Sequence, residues 1–414
     1  MKLNFPNTRF SLPFEPRKKL MAQRIRAIVD DSGGQRGRTG APAAALAFLL
    51  CLLCVNLVSC AVAPNAKDYA SLEKYLKDVS LPENLTLSFD PAEVASRGSA
   101  AVYYVTPIRF SADRLIPALM IGDVSETVSY AEGMQYRSES AGVRDYLTVY
   151  DGGESFGTQS GTDGGFNYNL ERGGVMAGYK LQSIISSSRV VSMSTLANPG
   201  LSREDYSTEG ELAGPARSAA LRDIVSRLSN AGAPELMVRS CYFMDLPTIK
   251  AHAELSGVEY EFGEADEGYY FNFAQVVDEI PIMDIQWEQN VNGSVYPHGS
   301  SSGEVWYTAR GIEYADFWNL VSLTGTGDTL PLISPSQAVE ALIRLLSDVI
   351  SEYKYNAVTM ELIYVKLPSG DGTVMRPAWS FDMIKTERLH DGTDFQFYAS
   401  YVFDAATGEL LSVL

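Results

Sequence analysis

Nineteen consecutive residues, Ala41–Ser59, carry no charge. Such a run cannot sit on the surface of a water-soluble domain. It is long enough to cross a bilayer as a helix, and its basic, Arg-rich flank is that of an export signal. Residues 1–40 hold nine basic side chains (Lys2, Arg9, Arg17, Lys18, Lys19, Arg24, Arg26, Arg36, Arg38) against Glu15, Asp30 and Asp31. The charge asymmetry divides the chain into a leader, 1–59, and a body. The leader carries about +6, so the body carries about -24 of the net -18. A body that acidic is repelled by phosphate backbones and by anionic lipid head groups, which argues against a nucleic-acid partner. Met1 and Met21 both open a basic leader and are both compatible starts.

The end of the apolar run, Leu57-Val58-Ser59-Cys60, resembles the lipobox of bacterial lipoproteins. The resemblance implies that Cys60 is diacylated, becomes the new N-terminus, and holds the protein to the outer face of the cell membrane. A retained transmembrane helix and ordinary signal cleavage are the competing readings. Cys51 and Cys54 lie inside the leader, so their C-x-x-C spacing carries no redox expectation. Cys241 is left alone in a strand-like run, without a disulfide partner, and reads as a buried small hydrophobe.

The body has the composition of a folded chain, 46% hydrophobic and 20% charged overall. Residues 60–84 read as a lipidated tether and a short helix over 68–79. Residues 85–210 read as a β-rich domain, from runs of β-branched and aromatic residues at 101–105, 146–150 and 190–193. The glycine-dominated stretch 151–165 reads as a loop. Residues 211–330 read as an α+β region, with a helix over 216–228, another over 248–255, and strands at 236–238, 269–277 and 280–285. Residues 331–414 read as a helix opened by Ser334, Pro335 and Gln337, a capping-box arrangement, followed by four strands. Asp404 and Gly408 have the residue types of a closing hairpin turn. The expected fold class is α+β: antiparallel sheets with packed helices. Helix 216–228 with strand 236–244, and helix 335–352 with strand 358–365, are candidates for two copies of one unit.

Three motifs stand in the order found in propeptides of thermolysin-like metallopeptidases. Phe271, Phe273 and Gln275, followed by Ile280-Pro281-Ile282, resemble the aromatic signature of the fungalysin–thermolysin propeptide segment. Ser334-Pro335-Ser336-Gln337-Ala338 resembles the helix start of PepSY modules. Trp379 and the run Phe403–Leu411, with Asp404 and Gly408, are similar to that module's closing hairpin. The YycH and YycI regulators of a bacterial sensor kinase share this small fold. The resemblance covers about 260–414. It departs from the family at Glu279, where glycine is common, and it includes no H-E-x-x-H. It implies a binding or regulatory role toward another exported or membrane protein, a peptidase or a sensor kinase, rather than catalysis.

No catalytic residue, metal ligand or cofactor is assigned. Gly153-Glu154-Ser155-Phe156-Gly157 fits G-x-S-x-G, but the glycines that follow do not continue as the helix a nucleophile elbow needs, so a hydrolase using Ser155 is the weakest reading. His252, His298 and His390 have no ligand partner at helical spacing. Glu261, Glu264, Asp266 and Glu267 read as a solvated acidic face. A solute- or glycan-binding lipoprotein with its cleft in 85–200 is the alternative function.

Overall fold

A computed structural model describes residues 66–130, 133–150, 165–187, 206–283, 302–347, 353–369, 372–390, 392 and 394–413. The leader, including Leu57, Val58, Ser59 and Cys60, lies outside the described residues, as do the expected strand 190–193 and all but the end of the glycine loop. In chain order the elements are α1 (Ala66–Asp78), β1 (Leu85–Leu87), β2 (Ser99–Pro107), α2 (Ala112–Leu119), β3 (Val124–Tyr130), β4 (Gly133–Ser140), β5 (Val143–Tyr150), β6 (Phe166–Arg172), α3 (Ala177–Ser187), α4 (Arg217–Ala231), β7 (Leu236–Met244), α5 (Leu246–Ser256), β8 (Gly268–Val277), β9 (Ile280–Pro281), β10 (Ser302–Thr308), β11 (Gly311–Trp318), β12 (Val321–Pro331), α6 (Pro335–Ser347), β13 (Lys354–Ser369), β14 (Gly372–Arg388), β15 (Asp394–Asp404) and β16 (Leu410–Val413). The fold is α+β, with strands predominating.

Two sheets organise these elements. The larger runs β3-β4-β5-β6-β11-β10-β8-β7, with β9 paired to β8. The smaller runs β1-β13-β14-β15-β16, with β2 paired to both β12 and β14. One order recurs three times: a helix, then four strands that lie side by side in sequence order. It occurs as α2 with β3–β6, as α4 with β7, β8, β10 and β11, and as α6 with β13–β16. The first two runs join last strand to last strand, β6 against β11, and their helices pack on the same sheet face. The repeat expected for 216–244 and 335–365 thus has a third occurrence in 112–172. The reason is covalent economy: hairpins pair neighbouring strands, and each four-stranded run still needs a helix to cover its apolar face.

The sheets do not follow the expected segments 85–210, 211–330 and 331–414. Strands β3–β6 complete a sheet whose other half comes from 236–318, while β2 joins the C-terminal strands. An eight-residue strand buries one face only, so the 124–172 meander is stable when its edge β6 pairs with β11. The expected strand 280–285 is shorter than its sequence suggested. It ends at Pro281, and Ile282 then forms a parallel bridge to Tyr364 of the other sheet.

Local signals formed as their chemistry predicts. The backbone N–H of Ser334 donates to Gln337 Oε1 at 2.8 Å, and that of Gln337 to Ser334 Oγ at 3.3 Å, the two halves of a capping box. In the last turn, Asp404 accepts from the N–H groups of Ala406 and Thr407, and Gly408 takes φ +74°. Arg114 donates to the C=O groups of Ser229 and Asn230 at the end of α4, and Arg227 to Ala118 C=O at the end of α2. Each guanidinium therefore sits at the negative end of the other helix.

The turn from β8 to β9 is strained. Asp278 and Glu279 both have positive φ, 51° and 66°, and no glycine relieves either. A two-residue hairpin turn of this hand normally uses Asn-Gly or Asp-Gly. Tyr103 Oη donates to Asp278 Oδ2, and Arg97 to Asp278 C=O, which hold the first position in place. Glu279→Gly is expected to stabilise the chain by about 0.5–1 kcal/mol, the left-handed penalty less the entropy of glycine. A denaturant midpoint that falls instead of rising would refute this.

Candidate functional site: a polar face crossed by an acid pair

One face of the nine-stranded sheet is apolar along most of its strands, and it is covered. Leu147, Val149, Phe166, Tyr168, Phe271, Phe273, Val305 and Phe317 point there, under α2 and α4. Period-two alternation sends the intervening residues to the opposite face. Cross-strand register arranges them in rows. One row is polar along nearly its whole length: Gln135, Thr148, Asn167, Asp316, Glu304, Asn272 and Ser240 are successive neighbours from β4 to β7. The adjacent row is mostly aromatic: Arg137, Tyr146, Asn169, Tyr314, Trp306, Tyr270 and Tyr242. Helices α3 and α5 cover the aromatic row at Tyr314, Trp306, Tyr270 and Tyr242 with Leu181, Ile184, Ile185, Ile249 and Ala253. Gly178 of α3 lies so close to Tyr314 that a Cβ there would stand 2.6 Å from the tyrosine Cβ.

The polar row is tied by its own side chains. Gln135 Nε2 donates to Thr148 Oγ1 at 3.2 Å, and Asn272 Nδ2 to Ser240 Oγ at 2.7 Å. At its centre the bonding changes. Glu304 of β10 and Asp316 of β11 face each other directly. Directly opposed carboxylates stand with Cβ atoms about 4.5–5.5 Å apart and repel. Glu304 is buried, and Tyr270 Oη donates to it. Tyr314 Oη lies 3.4 Å from Glu304 Oε1 and 3.3 Å from Asp316 Oδ2. Burial raises the Asp316 carboxyl to about 7, with Glu304 adding to the rise; hydrogen bonds from Asn167 and Tyr314 act the other way. Burial likewise drives the Tyr314 phenol up, with Asp316 and Glu304 contributing.

The residues singled out from sequence do not converge here. Phe271 and Phe273 belong to the covered face, one residue out of phase with Tyr270 and Asn272. Gln275 is buried and bonds the backbone of Val321 through both ends of its amide. Pro281 pairs with Val276 in β9. Trp379 is fully buried in the smaller sheet, with Nε1 directed to Ile333 C=O at 3.4 Å. Asp404 is buried at the closing turn beside Arg376, 2.9 Å away. Cys241 is buried, and burial pushes its thiol up to about 12. His252 lies inside α5, 3.3 Å from Tyr206 Oη. His390 is in a turn, and Ser155 and His298 lie outside the described residues. The acidic stretch expected to be solvated is partly internal: Asp266 is buried and paired to Arg310 at 2.9 Å, and Glu267 accepts from Leu246 N–H at the start of α5. Among the described residues no group of three or more His, Cys, Asp or Glu is placed to hold a metal, and no helix is long and apolar enough to cross a membrane.

Sequence reasoning placed 166–172 in a β-rich domain and 302–318 in an α+β region but singled out no strand in either. Their signal was available: apolar Phe166, Tyr168 and Leu170 alternate with Asn167, Asn169 and Glu171. That pattern marks a half-buried strand. It does not tell which polar residues meet.

No family model matches the chain, and no curated protein is similar to it. Among solved structures, a crystal structure of an uncharacterized protein from Eubacterium rectale ATCC 33656 has a TM-score of 0.51 to this chain, at 15% identity. The match covers 81% of this chain and 92% of that one. At that identity the likeness is one of fold.

Proposed function

We propose that this chain is a lipid-anchored, extracytoplasmic binding protein that captures a small solute on the polar face of its nine-stranded sheet. One observation carries the reading: Glu304 and Asp316, directly opposed and partly internal, are flanked by tyrosines and tryptophan on a face that is otherwise cross-linked by its own side chains. Perturbed carboxyls grouped with convergent polar atoms are a mark of a binding site. The lipobox-like Leu57–Cys60 supplies the address, membrane attachment through lipid on Cys60, and the acidic body argues against nucleic acid.

A second reading has its own observation. Strand β3 forms the free edge of the larger sheet, pairing only with β4 among the described strands, and most of its residues are exposed on both faces. An open, β-branched edge accepts an extended segment of another protein. This is the mode in which a chain with a PepSY-like or YycH/YycI-like C-terminal unit would modulate an exported peptidase or a sensor kinase.

Native mass spectrometry of the full-length chain, extracted gently from membranes, separates the two. The expected spectrum has a diacylated N-terminus at Cys60 and a retained small-molecule mass that disappears in Asn169→Leu. A stoichiometric protein partner, released by Thr127→Lys with Ser129→Lys and accompanied by no small molecule, would replace the first reading by the second. An unmodified N-terminus upstream of Cys60 would remove the anchored address from both.

A further inference from the structure

We infer that β16 is the contact surface for a second copy of this chain: two chains pair their β16 strands antiparallel across a two-fold axis, repeating between molecules the junction that β6 and β11 make within one.

The chain contains this junction once already. Its two partners are units of the same design, a helix followed by four strands in sequence order, and they meet by their last strands. The pairing is antiparallel and four residue pairs long, from Phe166 opposite Phe317 to Asn169 opposite Tyr314. The two helices pack on the same sheet face, and Arg114 and Arg227 each reach carbonyls at the C-terminal end of the other helix. Antiparallel last strands with both helices on one face are the arrangement a two-fold axis normal to the sheet produces.

The third unit, α6 with β13–β16, has the same order, but its last strand is open. Its first strand is taken, since β1 pairs with β13. Its last strand, β16, pairs only with β15 among the described strands. β16 has four residues, as many as the internal ladder uses. None of Leu410, Leu411, Ser412 and Val413 is charged and none is proline, so neither of these guards stands on the edge. In the internal junction the last-strand residues on the helix face are sealed: Phe166 and Phe317 are fully buried, with ring centroids 5.3 Å apart. Leu410 is on the corresponding face, opposite Phe403 and on the side of α6, and it is 41% exposed.

The occupant follows from what the edge lacks. An extended segment of another protein would satisfy its backbone groups but bring no helix to cover the apolar face beside it. A second copy of this unit brings both, a strand and its own α6. The product is a run of eight strands from two four-stranded units, the run the larger sheet already has. Rotation about the sheet normal keeps every side chain on its own face, so one residue of β16 must stand opposite its own copy.

Sedimentation equilibrium of the full-length chain in density-matched detergent tests this, together with Leu410→Cys, Leu411→Cys, Ser412→Cys and Val413→Cys made singly and read on a non-reducing gel. The expected result is a monomer–dimer equilibrium that tightens as salt rises from about 0.05 M to about 0.5 M, because two acidic bodies repel less when screened. Leu410→Lys should weaken it by about tenfold or more, through lost apolar contact and the cations it sets near the axis. At least one of the four cysteine variants should form a disulfide-linked dimer under mild oxidation. Thr127→Lys with Ser129→Lys, on the open edge β3 of the larger sheet, should associate like the wild type. A thermal melt checks that each variant folds, and the cysteine scan still reads the contact if Leu410→Lys does not. A monomer at every concentration would overturn the proposal. So would a dimer that survives Leu410→Lys and gives no cross-link at 410–413, or one lost in the β3 variant, which would move the contact to the other sheet.

Discussion

Gln275→Leu is expected to destabilise the chain by about 2–6 kcal/mol, enough to move a thermal or denaturant midpoint far outside error. Leucine is close to glutamine in size, so the loss comes from polar groups and not from a cavity. Gln275 Nε2 donates to Val321 C=O at 2.7 Å, and Val321 N–H donates to Gln275 Oε1 at 2.8 Å. Both residues are buried. The cross-strand neighbour of Val321 is Pro107, which has no N–H to offer in place of the amide. The glutamine thus acts as a missing peptide group. Its removal leaves an N–H and a C=O buried without partners, each at about 1–3 kcal/mol. The position also matters: Gln275 is in β8 of the larger sheet and Val321 opens β12 of the smaller one, so the pair fastens one sheet to the other. A change of less than 1 kcal/mol would mean that water reaches Val321 and that the junction is not sealed.

Stability is expected to fall as pH rises from about 4 to 7, and Asp316→Asn should flatten that slope. The sign follows from proton counts. In the unfolded chain Asp316 releases its proton near 3.8, whereas in the folded chain it keeps it to about 7. Between those values the native state binds more protons than the unfolded state, so stability declines with pH. A shift of that size corresponds to an upper bound of about 4 kcal/mol for this residue alone. Glu304 faces Asp316 from β10, Asn167 from β6, and Tyr314 from its own strand, so the titration belongs to a cluster and is expected to be broad. Asp382, also raised by burial and held by Thr359 and Ser400, contributes in the same direction and serves as the internal comparison, since Asp316→Asn leaves it untouched. Identical pH profiles for the wild type and Asp316→Asn would show that the pair does not govern the slope.

How much of this was legible beforehand depends on range along the chain. The capping box at Ser334 and Gln337, the turn at Asp404 and Gly408, and the burial of Cys241 and Trp379 are governed by neighbours a few residues away or by residue type, and all were readable. The acidic stretch at 261–267 was misread because Arg310, the partner of Asp266, is distant in sequence. Glu304 and Asp316 were not noticed at all. Nothing in either residue's local surroundings distinguishes it from an ordinary solvent-facing acid on an alternating strand.

The charge asymmetry, the apolar run before Cys60, the helical and alternating periodicities, and hence the α+β class follow from the sequence alone, because each is set by local spacing. Only the tertiary structure decided that 124–172 and 236–318 share one sheet, and that two acids meet on it beside Asn167. Strand register has a period of two, so a slip of one residue would have sent Asp316 to the covered face and Phe317 to the open one. That choice is made by burying Phe166, Phe273 and Phe317 together under α2 and α4, a long-range packing condition that no window of sequence contains.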